Sequence, residues 1–278
     1  MTNRDFIIKK CEKAALIMRQ KALKMALMAG PNGAHIGPGL SIIEIMSTLY
    51  CGVMNYNKEN LLCEKRDRFI LSKGHGTLGY YTALNAAGIL SDEQLFSFEK
   101  NGGLLPGQPS LNRELGIDFS SGSLGMGLSY AVGISLAGRL DKLDYRLYVL
   151  MGDGELNEGT VWEAAMSASH FGMSNVIAII DANGLQSDGK TNEIMLTNIN
   201  DMWEGFGWEV INVENGHNIG LLYDALTLSP KENKPRVIVA KTVKGKGISF
   251  MESNNEWHHN RLSQEQYEAA LAKLEGGI

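Results

Sequence analysis

Four stretches of the chain, "DRFILSK", "YRLYVLM", "NVIAIID" and "RVIVAKT", carry runs of apolar residues with no polar alternation inside them. A strand exposed on one side alternates apolar and polar residues, because successive side chains point to opposite faces. A strand covered on both sides stays apolar throughout. Helical patterns separate these runs: near 159 to 170, near 198 to 206, and near 218 to 228 behind a fifth strand, "GWEVINV". Parallel strands need such crossovers, whereas a hairpin needs only a turn. The pattern predicts an α/β fold: a doubly wound, mainly parallel sheet flanked by helices, organised as one domain over 1–278 with an N-terminal helical segment.

That first segment is amphipathic, with Ile8, Cys11, Ala15, Met18, Ala22 and Met25 on one face. Its many lysines interrupt the apolar stretches too often for a signal peptide or a membrane span. The formal net charge of -5, with no basic stripe, gives no reason to expect nucleic acid. Three cysteines without pair spacing suggest neither a disulfide framework nor a zinc site, and fit a reducing, cytoplasmic setting.

In an open parallel sheet, ligands bind beyond the carboxyl ends of the strands. The glycine loops at 152 to 159 and 181 to 189 both follow strands and should face one crevice. The first reads "MGDGELNEGT", which an acidic count alone leaves open between a Ca²⁺ loop, a phosphate cradle and a plain turn. It lacks the sixth-position glycine and the alternating side-chain oxygens of an EF-hand, it is not GxGxxG, and no Walker lysine follows it. If the two strands are neighbours, Asp153 and Asn183 each place a hard oxygen at the crevice, and the Leu185 carbonyl adds a third. Three oxygens are too few for a Ca²⁺ cage but suit Mg²⁺, which takes its other ligands from water and phosphate. Glu155 is expected to face solvent, and Glu158, in the first turn of the next helix, stabilises the helix dipole.

GDG followed about thirty residues later by Asn is similar to the thiamine diphosphate motif, and the chain resembles the N-terminal half of transketolase. The likeness extends through "GAHIGPGLSIIEIMSTLY", "DRFILSKGHGTLGYY", "LPGQPS", "SSGSLGMGLSYAVGISLAGR", "DANGLQSDG" and "KTVKGKGISFMESNNEWHH", in the family's order. The resemblance implies thiamine diphosphate with Mg²⁺ or Ca²⁺ on Asp153, Asn183 and the Leu185 carbonyl. It implies that Gly154 lets backbone approach the diphosphate, that His75 and His258 contact the cofactor phosphates and reach the reacting centre, and that His35 meets the sugar donor. Gly122, Ser123 and Leu124 match the loop lying against the aminopyrimidine. For Glu158 the resemblance implies the alternative of a place at an interface. Imidazoles suit these tasks because their ordinary titration lies near neutral pH.

The chain departs from the family at Gln108, where a histidine usually contacts the donor's hydroxyls; an amide donates and accepts hydrogen bonds but carries no proton. Met126 replaces a usual glutamine, and His259 follows His258 where glycine is common. The resemblance covers the family's diphosphate-binding module, and the pyrimidine-binding module with its activating glutamate is expected on another chain. The resemblance therefore implies a split transketolase: this chain as the diphosphate subunit, a C-terminal partner subunit carrying the other module, an α2β2 assembly, and sugar phosphates or modified sugars as substrates. Two other readings stand beside it. One is another thiamine-dependent subunit, of the 2-oxoacid dehydrogenase or 1-deoxyxylulose-phosphate synthase type, and the other is a non-catalytic regulatory paralogue. Lys244 or Lys246, in "KTVKGKG", lies near phosphate or on a surface turn. The small-residue helix from 125 to 138 is a candidate partner contact.

Overall fold

The computed structural model describes residues 2–195 and 198–275. In chain order it contains α1 (Asn3–Met28), α2 (Ile36–Leu40), α3 (Ile43–Thr48), β1 (Arg68–Leu71), α4 (Thr77–Ala86), α5 (Asp92–Leu95), α6 (Met126–Leu140) and β2 (Leu147–Gly152). There follow α7 (Gly159–His170), β3 (Val176–Ala182), β4 (Leu185–Gln186), β5 (Gly189–Lys190), α8 (Thr191–Ile194), α9 (Ile199–Gly205), β6 (Glu209–Val213), α10 (Ile219–Thr227), β7 (Arg236–Lys241) and α11 (Gln264–Glu275).

Five strands form one parallel sheet in the order β1-β2-β3-β7-β6, with β4 and β5 as a separate small hairpin. Their continuous apolar runs are explained by burial on both faces. In β2, Tyr148 and Leu150 pack into one core, while Leu147, Val149 and Met151 pack into the other. Val237 and Val239 likewise divide from Ile238 and Ala240 along β7. One core is covered by α1, α3, α4 and α10, the second by α6, α7 and α9.

The chain steps outward from β1 to β3, continues to the edge strand β6, and then steps back to β7. Because such crossovers keep one hand, the backward step throws α10 onto the opposite face from α7 and α9, which makes the sheet doubly wound. The run Ile36–Val53 is long and apolar enough to cross a membrane by composition, yet most of it is buried inside the fold. Ser91 caps α5 in a reciprocal capping box with Gln94.

Candidate active site

Four neighbouring strands deliver polar residues to one edge of the sheet: Ser72 and Lys73 beyond β1, Asp153 beyond β2, Asp181 and Asn183 at the end of β3, and Thr242 and Lys244 beyond β7. The pairing of β2 with β3 aligns Gly152 with Asp181, so the two glycine loops do share a crevice. A cavity of about 300 Å³ lies there, its wall including Asp153, Asn183, Leu185, Leu124, His75 and His258. A larger cavity, about 410 Å³, opens at the opposite edge among Asp67, Arg146 and Arg236, away from these loops.

Asp153 is buried, and its carboxylate accepts from the Gly154 N–H (2.9 Å) and the Gly184 N–H (2.6 Å). Gly184 has φ +74°, the left-handed conformation that presents its N–H across the crevice. The Asn183 oxygen accepts from the Leu185 N–H at 3.0 Å, and its amide donates to Asp181 at 3.0 Å. Burial, and then the neighbouring Asp181 carboxylate, push the Asp153 carboxyl up to about 6. A carboxylate accepting two hydrogen bonds keeps lone pairs for a cation, and a divalent cation would offset its desolvation. Among the described residues no cluster of three His, Cys, Asp or Glu side chains is gathered around a metal position. Asp153, Asn183 and Leu185 all line this cavity, and hard oxygens of this kind would suit Mg²⁺ bound together with a phosphate. The Asn157 oxygen is buried on the same wall without a hydrogen-bond partner, a further acceptor left for a bound group.

The sequence pattern gave no sign of the ion pair beneath this site. Lys73 and Asp181, both buried, meet at 2.5 Å. Asp181 also accepts from Ser41 at 2.7 Å and from the Thr242 hydroxyl. Burial alone would raise Asp181, but Lys73 and these hydroxyls prevail and hold it below the ordinary carboxylate range. A lysine directly after a strand and an aspartate ending an apolar one were the available signals. Each looked like an ordinary strand end.

Glu155 corrects the expectation of a solvent-facing side chain. It is buried and accepts from the Ser72 hydroxyl, from the Gly125 N–H (2.8 Å) and from the Gly152 N–H (3.2 Å). Burial raises its carboxyl despite those donors. Gly125 has φ +80° at the start of α6, so this carboxylate ties the "GSLG" loop to β1 and β2. Glu158 stays exposed at the N-cap position of α7, on the rim of the cavity. Gly154 has a packing reason for its identity: a Cβ there would come within 2.8 Å of the Gln186 side chain.

The histidines converge. The rings of His35, His75 and His258 stand 5.3 to 5.7 Å apart by their centroids, and His259 adds a fourth ring 4.6 Å from His35. The expectation that they titrate near neutral pH does not hold in the folded chain. Burial, then His259 and Lys73, push His35 down to about 4. Burial, then Lys244, push His258 down to about 3, and burial with Lys73 holds His75 well below its ordinary value.

Lys244 is buried, not on a surface turn, and its Nζ lies 2.9 Å from His258 Nδ1 and 2.7 Å from Asn255 Oδ1. An ammonium only donates, so His258 Nδ1 accepts and its Nε2 carries the proton. Burial, and then Lys73, bring Lys244 down to about 8. Lys246 is half-exposed and pairs with Glu252 at 3.1 Å.

Gly122 and Ser123 lie outside the Asp153 cavity, in an adjoining one with Phe119, Met126 and Tyr130, while Leu124 lines the Asp153 cavity itself. His35 and Gln108 line a third cavity with His259. Gln108 also lies against Gly122, where a Cβ would come within 2.7 Å of its oxygen. Two of these spaces, those of Asp153 and of Gln108, thus border the histidine cluster.

A family model described as the transketolase thiamine diphosphate-binding domain matches residues 12–276. The chain is 39% identical over 264 residues to one of the subunits of apulose-4-phosphate transketolase from Actinobacillus succinogenes, covering 95% of each chain. It is 40% identical over 243 residues to a 6-deoxy-6-sulfo-D-fructose transketolase subunit of a Clostridium species, covering 87% of this chain and 88% of that one. Of solved structures, transketolase from Leishmania mexicana superposes with a TM-score of 0.88 at 29% identity, covering 95% of this chain and 41% of that one. The chain thus spans about two fifths of the length of that solved transketolase. It belongs to the transketolase thiamine diphosphate-binding family.

Proposed function

We propose that this member of the transketolase family is the diphosphate-binding subunit of a two-chain transketolase, transferring a two-carbon ketol unit from a ketose to an aldose. The observation that carries the reading is the meeting of His35, His75 and His258 beside a cavity whose wall holds Asp153, Asn183 and Leu185. Relatives matched over most of their length are named as transketolase subunits, which supports a separate partner chain. In this reading the partner carries the pyrimidine-binding module and the assembly holds two copies of each chain. The relatives' names specify modified ketoses, and Gln108 in place of a protonatable histidine agrees with a modified ketose here too.

In this reading Asp153, Asn183 and the Leu185 carbonyl would hold Mg²⁺ together with the diphosphate, and Gly122, Ser123 and Leu124 would border the cofactor's ring. Bound thiamine diphosphate supplies the carbon centre that carries the two-carbon unit. The chain's own task is orientation and proton handling. Neutral His35 and His75 each offer one donor and one acceptor nitrogen to sugar hydroxyls, so either can take up a proton as a carbon–carbon bond breaks. His258, its Nδ1 engaged by Lys244, offers the Nε2–H as a donor. The histidine rings pack against one another, and Lys73 and Asp181 form a buried pair at the same edge of the sheet.

The test is reconstitution. Ketol transfer from a ketose to an aldose should be absent with the purified chain, appear with the partner subunit, thiamine diphosphate and Mg²⁺, and vanish in Asp153→Ala. Robust transfer by the chain alone would overturn the two-chain reading.

A further inference from the structure

The third cavity, about 300 Å³, is lined by Gly33, Ala34, His35, Phe98, Glu99, Gly107, Gln108 and His259. It shares His35 with the histidine cluster, so a sugar chain extending from the cofactor side would enter it. Its wall holds a carboxylate, an amide and two imidazoles, and neither lysine nor arginine.

Glu99 is placed there at a cost. Its φ is +54°, a left-handed conformation that a residue with a Cβ adopts only when the surroundings enforce it. Two hydrogen bonds do so: its N–H donates to the Leu105 carbonyl (3.0 Å), and its carbonyl accepts from the Asn32 amide (2.9 Å). The side chain lies over Gly107, where a Cβ would come within 2.7 Å of the carboxylate oxygen. Among the described residues the carboxylate has no hydrogen bond or ion pair. Glu155 and Asp181 are satisfied by donors of the protein, and Asp153 accepts from two backbone N–H groups, whereas Glu99 is a half-buried acceptor turned to a cavity. Such a group binds hydroxyl donors through charge-assisted hydrogen bonds and repels a second anion.

We propose that Glu99, with Gln108 and His259, is the specificity-determining wall of this subsite, selecting an uncharged, hydroxylated sugar chain over one with a phosphate or sulfonate on this side. The inference rests on the transketolase reading above. Gln108 supplies both a donor and an acceptor, and His259 a second polar ring, so three groups read hydroxyls and none neutralises an anion.

The experiment uses the chain reconstituted with its partner subunit, thiamine diphosphate and Mg²⁺, and two matched acceptors, glyceraldehyde and glyceraldehyde 3-phosphate. The quantity read is the ratio of their kcat/KM values, neutral over phosphorylated. Glu99→Gln should lower it about tenfold, mainly through KM, and Glu99→Lys should lower it further, with thermal stability near wild type because the side chain has no internal partner. In the wild-type protein the ratio should shrink as salt screens the repulsion. A ratio unmoved by both variants while wild-type transfer proceeds refutes the role of Glu99 alone. Wild-type transfer to neither acceptor from any ketose refutes the transketolase reading, and this inference with it.

Discussion

Glu155 holds three segments on one carboxylate: Ser72 after β1, Gly125 at the start of α6 and Gly152 at the end of β2. Glu155→Ala leaves the two backbone N–H groups buried without acceptors, at about 1–3 kcal/mol each. We expect a loss of several degrees in melting temperature, with activity falling through instability, while Glu155→Gln recovers part of the stability because its oxygen still accepts. A melting curve unchanged in Glu155→Ala would contradict the buried placement. The histidines give a second expectation. His35 is held at about 4, His258 at about 3, and His75 well below its ordinary value, whereas unfolded imidazoles titrate near ~6.5. Between pH ~6.5 and ~4 the unfolded chain binds more protons, so stability is full above that window and falls as pH drops through it. The Asp153 and Glu155 carboxyls, raised by burial, act in the opposite direction over the same range, so the histidine contribution is the difference between wild type and a variant with His35 and His258 replaced by Asn. The urea midpoint of the cofactor-free wild type should fall more from pH ~7.5 to ~5 than that of the variant, and an identical pH dependence in the two would contradict the neutral burial of these histidines.

At the scale of the element, strands and helices were legible because their hydrophobic periods are local. The continuous runs around Ile70, Val149, Ile179 and Ile238 became neighbouring parallel strands, and the glycine loops behind them became one crevice. What was not legible depends on approaches between distant segments. Glu155 is buried because Ser72 and Gly125 come to it from elsewhere in the chain, and Lys73 becomes a core residue only because Asp181 reaches it from beyond the intervening strand β2. Gly122 and Ser123 match the family loop, but only the tertiary packing separates their cavity from that of Leu124. Helix α6 carries the next expectation. Its outer face leaves Met126, Tyr130, Gly133 and Leu140 exposed, and a Cβ at Gly133 would meet nothing within 4 Å. In the isolated chain Gly133→Ala should therefore stabilise the helix by about 0.5–1 kcal/mol. Gly133→Arg should also fold but weaken assembly with the partner subunit, if α6 is the contact. Unchanged assembly of Gly133→Arg, measured by sedimentation, would move the interface elsewhere.

For the whole molecule, the decisive fact is that one edge of a five-stranded sheet gathers the hard oxygens, the buried lysines and the histidines around one cavity. In the proposed function this is half of a site, because the cofactor is clamped between this chain and its partner. Binding and assembly are then one thermodynamic cycle. If the partner tightens thiamine diphosphate by some factor, the cofactor must tighten the complex of the two chains by the same factor. We expect that factor to be at least ~10 in the presence of Mg²⁺, since a coupling of 1–3 kcal/mol corresponds to roughly 5–150-fold. Calorimetry of cofactor binding, with and without the partner, should give the same ratio as sedimentation of the two chains with and without cofactor. It should collapse in Asp153→Ala, which leaves the α6 face untouched. A factor near one in the wild-type pair would mean that the cofactor does not bridge the two chains, and that the histidine cavity is a complete site on its own.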